Sequence, residues 1–299
     1  MENNFDVIII GGSYAGLSAG MSLGRSLRRV LIIDSGTPCN RQTPHSHNFL
    51  TNDGKTPEEI SGLAKAQVLQ YKTVEFHDGL VTRVSKQTGN FKVQTEHGDF
   101  FYAKKIILAS GVKDLMPDIP GFAECWGISV IHCPYCHGYE VHGKTTGIMS
   151  NGDMAFEFSK IVYNLTKKLT LFTNGASTLN NEQTARFGRN NIGITETEIE
   201  RIEHEDGYIR KVILKGGEEV SLDALYAKIP FEQNIGTENL GLELTEHGYI
   251  KTDHFHKTNV EGVFACGDNT TMMRAVAHAV AQGNVTGAMV NKKLAEEGF

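Results

Sequence analysis

The chain has 299 residues, a net charge of −6 from 29 Lys and Arg against 35 Asp and Glu, and 40% hydrophobic residues. At roughly 100–200 residues per domain this is room for two cored domains, and it is too apolar for a disordered chain. There is no basic excess to neutralise a phosphate backbone, so nucleic acid is excluded as the main partner.

MENNFDVIII lacks the basic region and long apolar stretch of a signal peptide or membrane helix, so no membrane partner is expected. Five cysteines with one close pair are not a disulfide framework, and the expected setting is a reducing cytoplasm. The 32 glycines show no fixed period, which excludes solenoid and collagen repeats and points to backbone approaching a phosphate.

In chain order, Asp6–Ile10 reads as a strand ending in Gly11-Gly12, Ala15–Leu27 as a helix, and Val30–Ile33 as a strand ending at Asp34. Thr56-Pro57-Glu58-Glu59 is a helix start with a capping box, running to about Tyr71. Thr73–Phe76, Leu80–Ser85, Phe91–Thr95 and Phe100–Tyr102 read as an antiparallel meander, and Lys105–Leu108 as a separate buried strand. A second strand–turn–helix–strand unit follows over Thr146–Met149, Asn151-Gly152, Ala155–Leu165 and Leu169–Phe172. Hairpin strands Thr197–His204 and Tyr208–Leu214, then Ala224–Ile229, close that block, and Val263–Ala265 with a helix from Arg274 to Leu294 completes the chain. The fold class is therefore α/β, with two Rossmann-like, doubly wound units, the second inserted into the first, and antiparallel meanders.

Gly11-Gly12-Ser13-Tyr14-Ala15-Gly16 matches G-x-G-x-x-G except at Ser13. A tight turn, a helix N-terminus and the strand-end acid Asp34 together suit a dinucleotide pyrophosphate and its ribose better than an ordinary glycine turn. Cys133-Pro134-Tyr135-Cys136 is the strongest chemical signal, since two intervening residues allow a reducible disulfide. His132, His137 and His142 surround it as proton carriers. Half a zinc site is the weaker alternative, because no second close pair exists, and no metal is expected. Gly267-Asp268 is another strand-end acid, unremarkable alone.

In this order the motifs resemble the low-molecular-weight thioredoxin reductase family of flavoproteins, within the pyridine nucleotide-disulfide oxidoreductases, over nearly the whole chain. IIIGGSYAG is similar to the family's FAD pyrophosphate turn, ILASG (Ile107–Gly111) to its ATG motif, Trp126–Lys144 to its redox segment, and GVFACGD with MRAVAHAVAQG to its C-terminal FAD motif and helix. The resemblance implies an FAD-binding domain of residues 1–112 and 234–299 around an inserted NAD(P)-binding-like domain, 113–233, that carries the redox pair. It implies FAD held by Gly11, Gly12, Ser13, Ala15, Gly16, Asp34, Arg41, Val81, Ala109, Ser110, Gly111, Gly267, Asp268, Ala275 and Val276. It further implies a homodimer, Cys136 beside the flavin, Cys133 attacking the external disulfide, and a thioredoxin-like protein or a small disulfide or dithiol as substrate.

His137 stands where most members have an acid, and the CxxCH pattern resembles the branch with gliotoxin- and holomycin-type dithiol oxidases, which gives His137 an acid/base role. The second fingerprint reads Ser150-Asn151-Gly152-Asp153-Met154-Ala155, and Phe172-Thr173-Asn174-Gly175 follows where a basic 2′-phosphate cluster belongs. Lys228-Ile229-Pro230-Phe231 replaces the usual second glycine motif. These departures argue against NAD(P)H as electron donor. The leading expectation is an FAD-dependent disulfide oxidoreductase. Its alternatives are a ferredoxin- or flavodoxin-fed reductase, an oxygen-using dithiol oxidase, and a non-enzymatic flavin-binding redox sensor. The loop Asn40–Leu50 is read either as a cover over the isoalloxazine or as a polar surface loop, and Cys39, Cys125 and Cys266 as structural.

Overall fold

An isoleucine-rich run becomes β1 (Asn4–Ile10), buried from Val7 to Ile10 because both its neighbours are parallel strands. The computed structural model describes residues 3–234 and 240–299. It divides into two compact units: one of the segments ending at Arg41, Phe49–Lys113 and from Phe231 onward, the other of Gln42–Asn48 and Asp114–Pro230. The segment Gln42–Asn48 thus groups with the second unit rather than with the strands that flank it in sequence.

In the first unit β1 is followed by α1 (Tyr14–Arg25), β2 (Val30–Asp34), α2 (Pro57–Val68) and β3 (Val74–Asp78). Thr56 and Glu59 close the capping box expected at α2. β4 (Val81–Gln87), β5 (Asn90–Thr95) and β6 (Phe100–Leu108) form the meander.

Two expectations are corrected. The segment starting near Thr73 is not a meander strand: β3 lies parallel to β2, Val74 opposite Val30, because α2 is the crossover between them. The segments Phe100–Tyr102 and Lys105–Leu108 are one strand, β6. Its two central lysines are paired, Lys104 with Asp6 at 2.9 Å and the buried Lys105 with Glu297 at 2.7 Å, so the charges do not interrupt it.

The second unit takes up β7 (Val112–Asp114), shared at its start with the first, then α3 (Phe122–Cys125), β8 (Val130–Ile131), α4 (Pro134–His137), β9 (Thr146–Met149), α5 (Gly152–Leu165) and β10 (Leu169–Phe172). It continues with α6 (Asn181–Arg189), β11 (Gly193–Thr195), β12 (Ile199–Glu205), β13 (Tyr208–Leu214), β14 (Glu219–Ser221) and β15 (Ala224–Ala227). A parallel sheet runs β11-β10-β9-β15-β8, and β12-β13-β14 form an antiparallel one. Helix α6 escaped the sequence reading because only Gln183 and Phe187 of it are buried, which is no apolar stripe.

The chain returns through β16 (Phe231–Gln233), which pairs with β7, to β17 (Val263–Ala265) and α7 (Val276–Gly298). Helix α7 begins two residues later and runs further than its pattern predicts. β17 lies parallel to the second half of β6, Val263 opposite Ile106, while the first half of β6 pairs antiparallel with β5. The first unit's parallel sheet is therefore β3-β2-β1-β6-β17, with the meander growing from the far end of β6.

Candidate functional site

Parallel strands deliver their C-terminal ends to one edge of a sheet, the edge where α/β folds bind ligands. In the first unit that edge receives Gly11–Gly16 after β1, Asp34 at the end of β2, Val81 just past β3, Ala109–Gly111 after β6 and Gly267-Asp268 after β17. Topology thus gathers most of the residues expected to hold FAD. Arg41 lies in the loop after β2 with its guanidinium donating to the Pro38 carbonyl, and Ala275 and Val276 start α7.

The first turn admits no side chain at two points. Gly11 has φ +103°, and a Cβ there would lie 2.2 Å from the Ala109 oxygen. A Cβ on Gly16 would lie 1.8 Å from the Gly11 oxygen. Asp34 fixes the turn by accepting from the Gly12 N–H at 2.8 Å and the Gly36 N–H at 3.2 Å. Asp268 accepts from the Cys39 thiol at 3.6 Å and faces Arg274 Nε at 3.7 Å.

Helices α2 and α6 close their own N-termini with capping boxes. By contrast, α1 and α7 start at Ser13 and Ala275 with no side-chain cap. Buried beside these turns, Ser110 Oγ, Gln233 Oε1 and Asn269 Oδ1 have no hydrogen-bond partner. Two open helix starts, a glycine turn and buried polar atoms without partners at one sheet edge fit the polyanionic, hydroxyl-rich body of FAD.

Sequence reasoning missed three supports of this edge. Gln282 Oε1 accepts the Gly267 N–H at 2.7 Å, Asn269 Nδ2 donates to the Leu108 carbonyl at 3.0 Å, and Asn234 Nδ2 donates to the Ser110 carbonyl at 2.7 Å. None carries a local signal, since each acts on backbone distant in sequence.

The redox pair sits in the second unit. β8 leads through His132 to Cys133, whose backbone is extended, and Pro134 then opens α4 so that Cys136 turns back onto Cys133. Cys136 Sγ donates to Cys133 Sγ at 2.6 Å. That contact draws the Cys133 thiol down to about 7 against the opposing effect of burial, helped by the backbone N–H groups of Cys136 and Tyr135.

Burial pushes the His137 imidazole below its usual range, Glu140 opposes this, and His47 adds to it. His137 is therefore neutral near pH 7 and able to accept a proton. His47 Nε2 lies 3.5 Å from Glu140, so the segment after β2 brings a second imidazole to the redox turn. His132 stacks on Trp126 at 5.9 Å, and His142 contacts the Tyr139 carbonyl. Cys125 and Cys266 are buried, and burial raises their thiols to about 11 and about 12.

The second fingerprint is filled by its own residues. Asn151 Oδ1 accepts from the N–H groups of Gly152 and Thr178, both at 2.9 Å, and from Thr178 Oγ1 at 3.1 Å, while its Nδ2 donates to the Ala176 carbonyl at 2.8 Å. Past β10, Thr173 Oγ1 donates to the Gly175 carbonyl at 2.6 Å and Asn174 Oδ1 accepts the Ile199 N–H at 2.7 Å. Asn151 thus accepts the first N–H group that opens α5.

Comparison with known proteins agrees with the architecture. A family model described as pyridine nucleotide-disulphide oxidoreductase matches residues 5–283. The thioredoxin reductase tcpT of Claviceps purpurea is 34% identical over 305 residues, spanning 98% of this chain and 95% of that protein. Among solved structures, an oxidoreductase from Agrobacterium tumefaciens superposes with a TM-score of 0.91 at 36% identity, covering 99% of both chains. A Bacillus anthracis chain described as thioredoxin reductase TrxB gives 0.94 at 30% identity, covering 99% of this chain and 100% of that one.

Proposed function

The chain belongs to the pyridine nucleotide-disulphide oxidoreductase family, and from that premise we propose how its residues carry out thioredoxin-reductase-type exchange. It is an enzyme of that class, and the family implies FAD. In our reading the cofactor lies along the first unit's sheet edge, on Gly11–Gly16, Asp34, Ala109–Gly111, Gly267-Asp268 and the start of α7. Residues 113–233 then act as the inserted domain that carries the redox pair. A bound flavin supplies two-electron exchange with a dithiol or disulfide.

Cys133, as thiolate, attacks one sulfur of a substrate disulfide, forming a mixed disulfide and releasing the other substrate sulfur as thiolate. Cys136 then attacks Cys133 of that mixed disulfide, the Cys133–Cys136 disulfide forms, and the second substrate sulfur leaves. Two electrons have passed to the substrate. His137 takes the Cys136 proton and returns it to a departing sulfur, and the same steps reversed oxidise a dithiol. The observation that carries this reading is the direct Cys136–Cys133 contact, which draws the Cys133 thiol down to about 7.

The substrate is a thioredoxin-like protein or a small disulfide or dithiol, met in our reading by a cytoplasmic homodimer. No helix among the described residues is long and apolar enough to cross a membrane. The comparisons lend nothing to a ferredoxin- or flavodoxin-fed variant or to a sensor.

One observation favours a refinement: the fingerprint capped by Asn151 argues that NAD(P)H is not the electron partner. The test is anaerobic reduction of the purified yellow protein. Dithiothreitol is expected to bleach the flavin while NADPH and NADH leave it oxidised. Flavin that dithiothreitol cannot bleach would overturn the dithiol reading, and rapid bleaching by NADPH would overturn the refinement.

A further inference from the structure

The chain after β2 is held at two places in quick succession. Cys39 Sγ donates to Asp268 Oδ2 at 3.6 Å and Asn40 Nδ2 to the Tyr14 hydroxyl at 3.2 Å, so this end touches two of the turns read as the cofactor cradle. The Arg41 N–H and guanidinium both donate to the Pro38 carbonyl and close a turn there. From Gln42 the surroundings change. Gln42 Nε2 donates to the Trp126 carbonyl, and Gly127 passes so close to Thr43 that a Cβ there would lie 3.1 Å from the Thr43 Oγ1. His47 Nε2 lies 3.5 Å from Glu140 Oε1. In the chain, Trp126-Gly127 and Glu140 flank the Cys133–Cys136 turn on its two sides.

This segment has neither the burial nor the backbone of an ordinary surface loop. Thr43 is 8% and Ser46 5% exposed, whereas connecting loops run over the surface. As the chain leaves, Asn48 at φ +58° and Thr51 at φ +71° take left-handed backbone. A β-branched threonine keeps that conformation only where its surroundings impose it. Gln42–Asn48 is therefore seated on the unit that carries the redox turn, while Arg41 and Phe49 on either side group with the unit that carries the cradle.

We propose that residues 39–47 form a strap that couples cofactor binding to the order of the redox turn. With the cradle turns occupied, Cys39 and Asn40 are fixed. The short chain that follows has less freedom left to lose, so Gln42 and His47 dock on Trp126 and Glu140 at a smaller entropic cost. By linkage the coupling runs both ways, and a docked redox end tightens cofactor binding. The proposal rests on the reading of the first unit's sheet edge as the FAD site.

The test crosses the two ends in the holoenzyme. Asn40→Ala removes the bond to Tyr14 at the cradle end, and amide hydrogen exchange is read by mass spectrometry over residues 126–140. His47→Ala removes the contact to Glu140 at the redox end, and the FAD dissociation constant is read from flavin fluorescence on dilution. We expect exchange over 126–140 to quicken about three- to tenfold in the first variant, and the dissociation constant to rise about three- to tenfold in the second, the effect of one lost polar contact. Gln42→Ala, in the body of the strap, is expected to do both. Asn151→Ala, which weakens the same unit at α5, is expected to do neither, which separates coupling from a general loss of stability. Each end altering only its own surroundings, or only one of the crossed effects appearing, would overturn the proposal. Failure of the cofactor reading shows differently: the purified parent would then carry no flavin to release.

Discussion

Gly283→Ala in α7 tests whether the cradle is held by backbone-to-backbone packing. A Cβ on Gly283 would lie 2.1 Å from the Ala15 oxygen, 2.9 Å from its carbonyl carbon and 3.0 Å from its Cα. Ordinary contact needs about 3.5 Å, so α1 and α7 must part by roughly 1 Å, and no rotamer relieves it because every atom met is backbone. The same crossing carries Ser18 Oγ to the Val280 carbonyl at 2.7 Å and Ser22 Oγ to the Asn284 carbonyl at 3.3 Å, which parting would stretch. Overpacking of this kind costs about 1–3 kcal/mol, and the better helix propensity of alanine returns about 1. The atoms met are all backbone, so the upper half of the net range applies; a loss of about 1–2 kcal/mol at about 2–4 °C per kcal/mol lowers Tm by about 2–8 °C. Ala15 lies in the first turn of α1, so flavin retention should fall too. Circular dichroism melts and flavin fluorescence released on heating measure both. An equal or higher Tm with unchanged flavin retention would refute the packing argument.

The opposite sign is expected at Gly188→Ala in α6, where a Cβ meets nothing within 4 Å, so Tm should rise with a gain of up to about 1 kcal/mol. Asn151→Ala removes the cap of α5 and should cost about 1 kcal/mol by denaturant titration; no loss would mean the amide is not held as described. The lowered His137 also predicts a pH dependence. Its unfolded form takes a proton near the ordinary value of 6.5, while the folded one resists until lower pH, so stability is present above 6.5 and is lost as pH falls through it. His137→Gln should flatten that decline between pH 7 and 5, leaving the part due to His256, which burial also lowers. An unchanged slope would contradict the burial argument.

Strong local signals were legible in the sequence. The β1–α1–β2 turn, the Thr56–Glu59 box and the Cys133–Cys136 spacing each specify their geometry within a few residues. What escaped depends on distant partners. Whether β3 joins β2 or a hairpin is decided by the α2 crossover, and β6 runs unbroken because Asp6 and Glu297 pair its lysines. Gln282, Asn269 and Gly283 support the cradle only through backbone far away in the chain. The capping of the second fingerprint by Asn151 is likewise a tertiary fact, since Thr178 and Ala176 lie past the next strand. The grouping of Gln42–Asn48 with the second unit, which brings His47 to Glu140, has no local signature either.

The central claim is electron exchange between the flavin and the Cys133–Cys136 pair. Its most direct test is the anaerobic rate of flavin bleaching by dithiothreitol in the parent protein and in Cys136→Ser, at equal flavin content. We predict that the substitution slows bleaching by about a thousandfold or more, as removal of a reacting group does. Equal rates in the two proteins would contradict the claim.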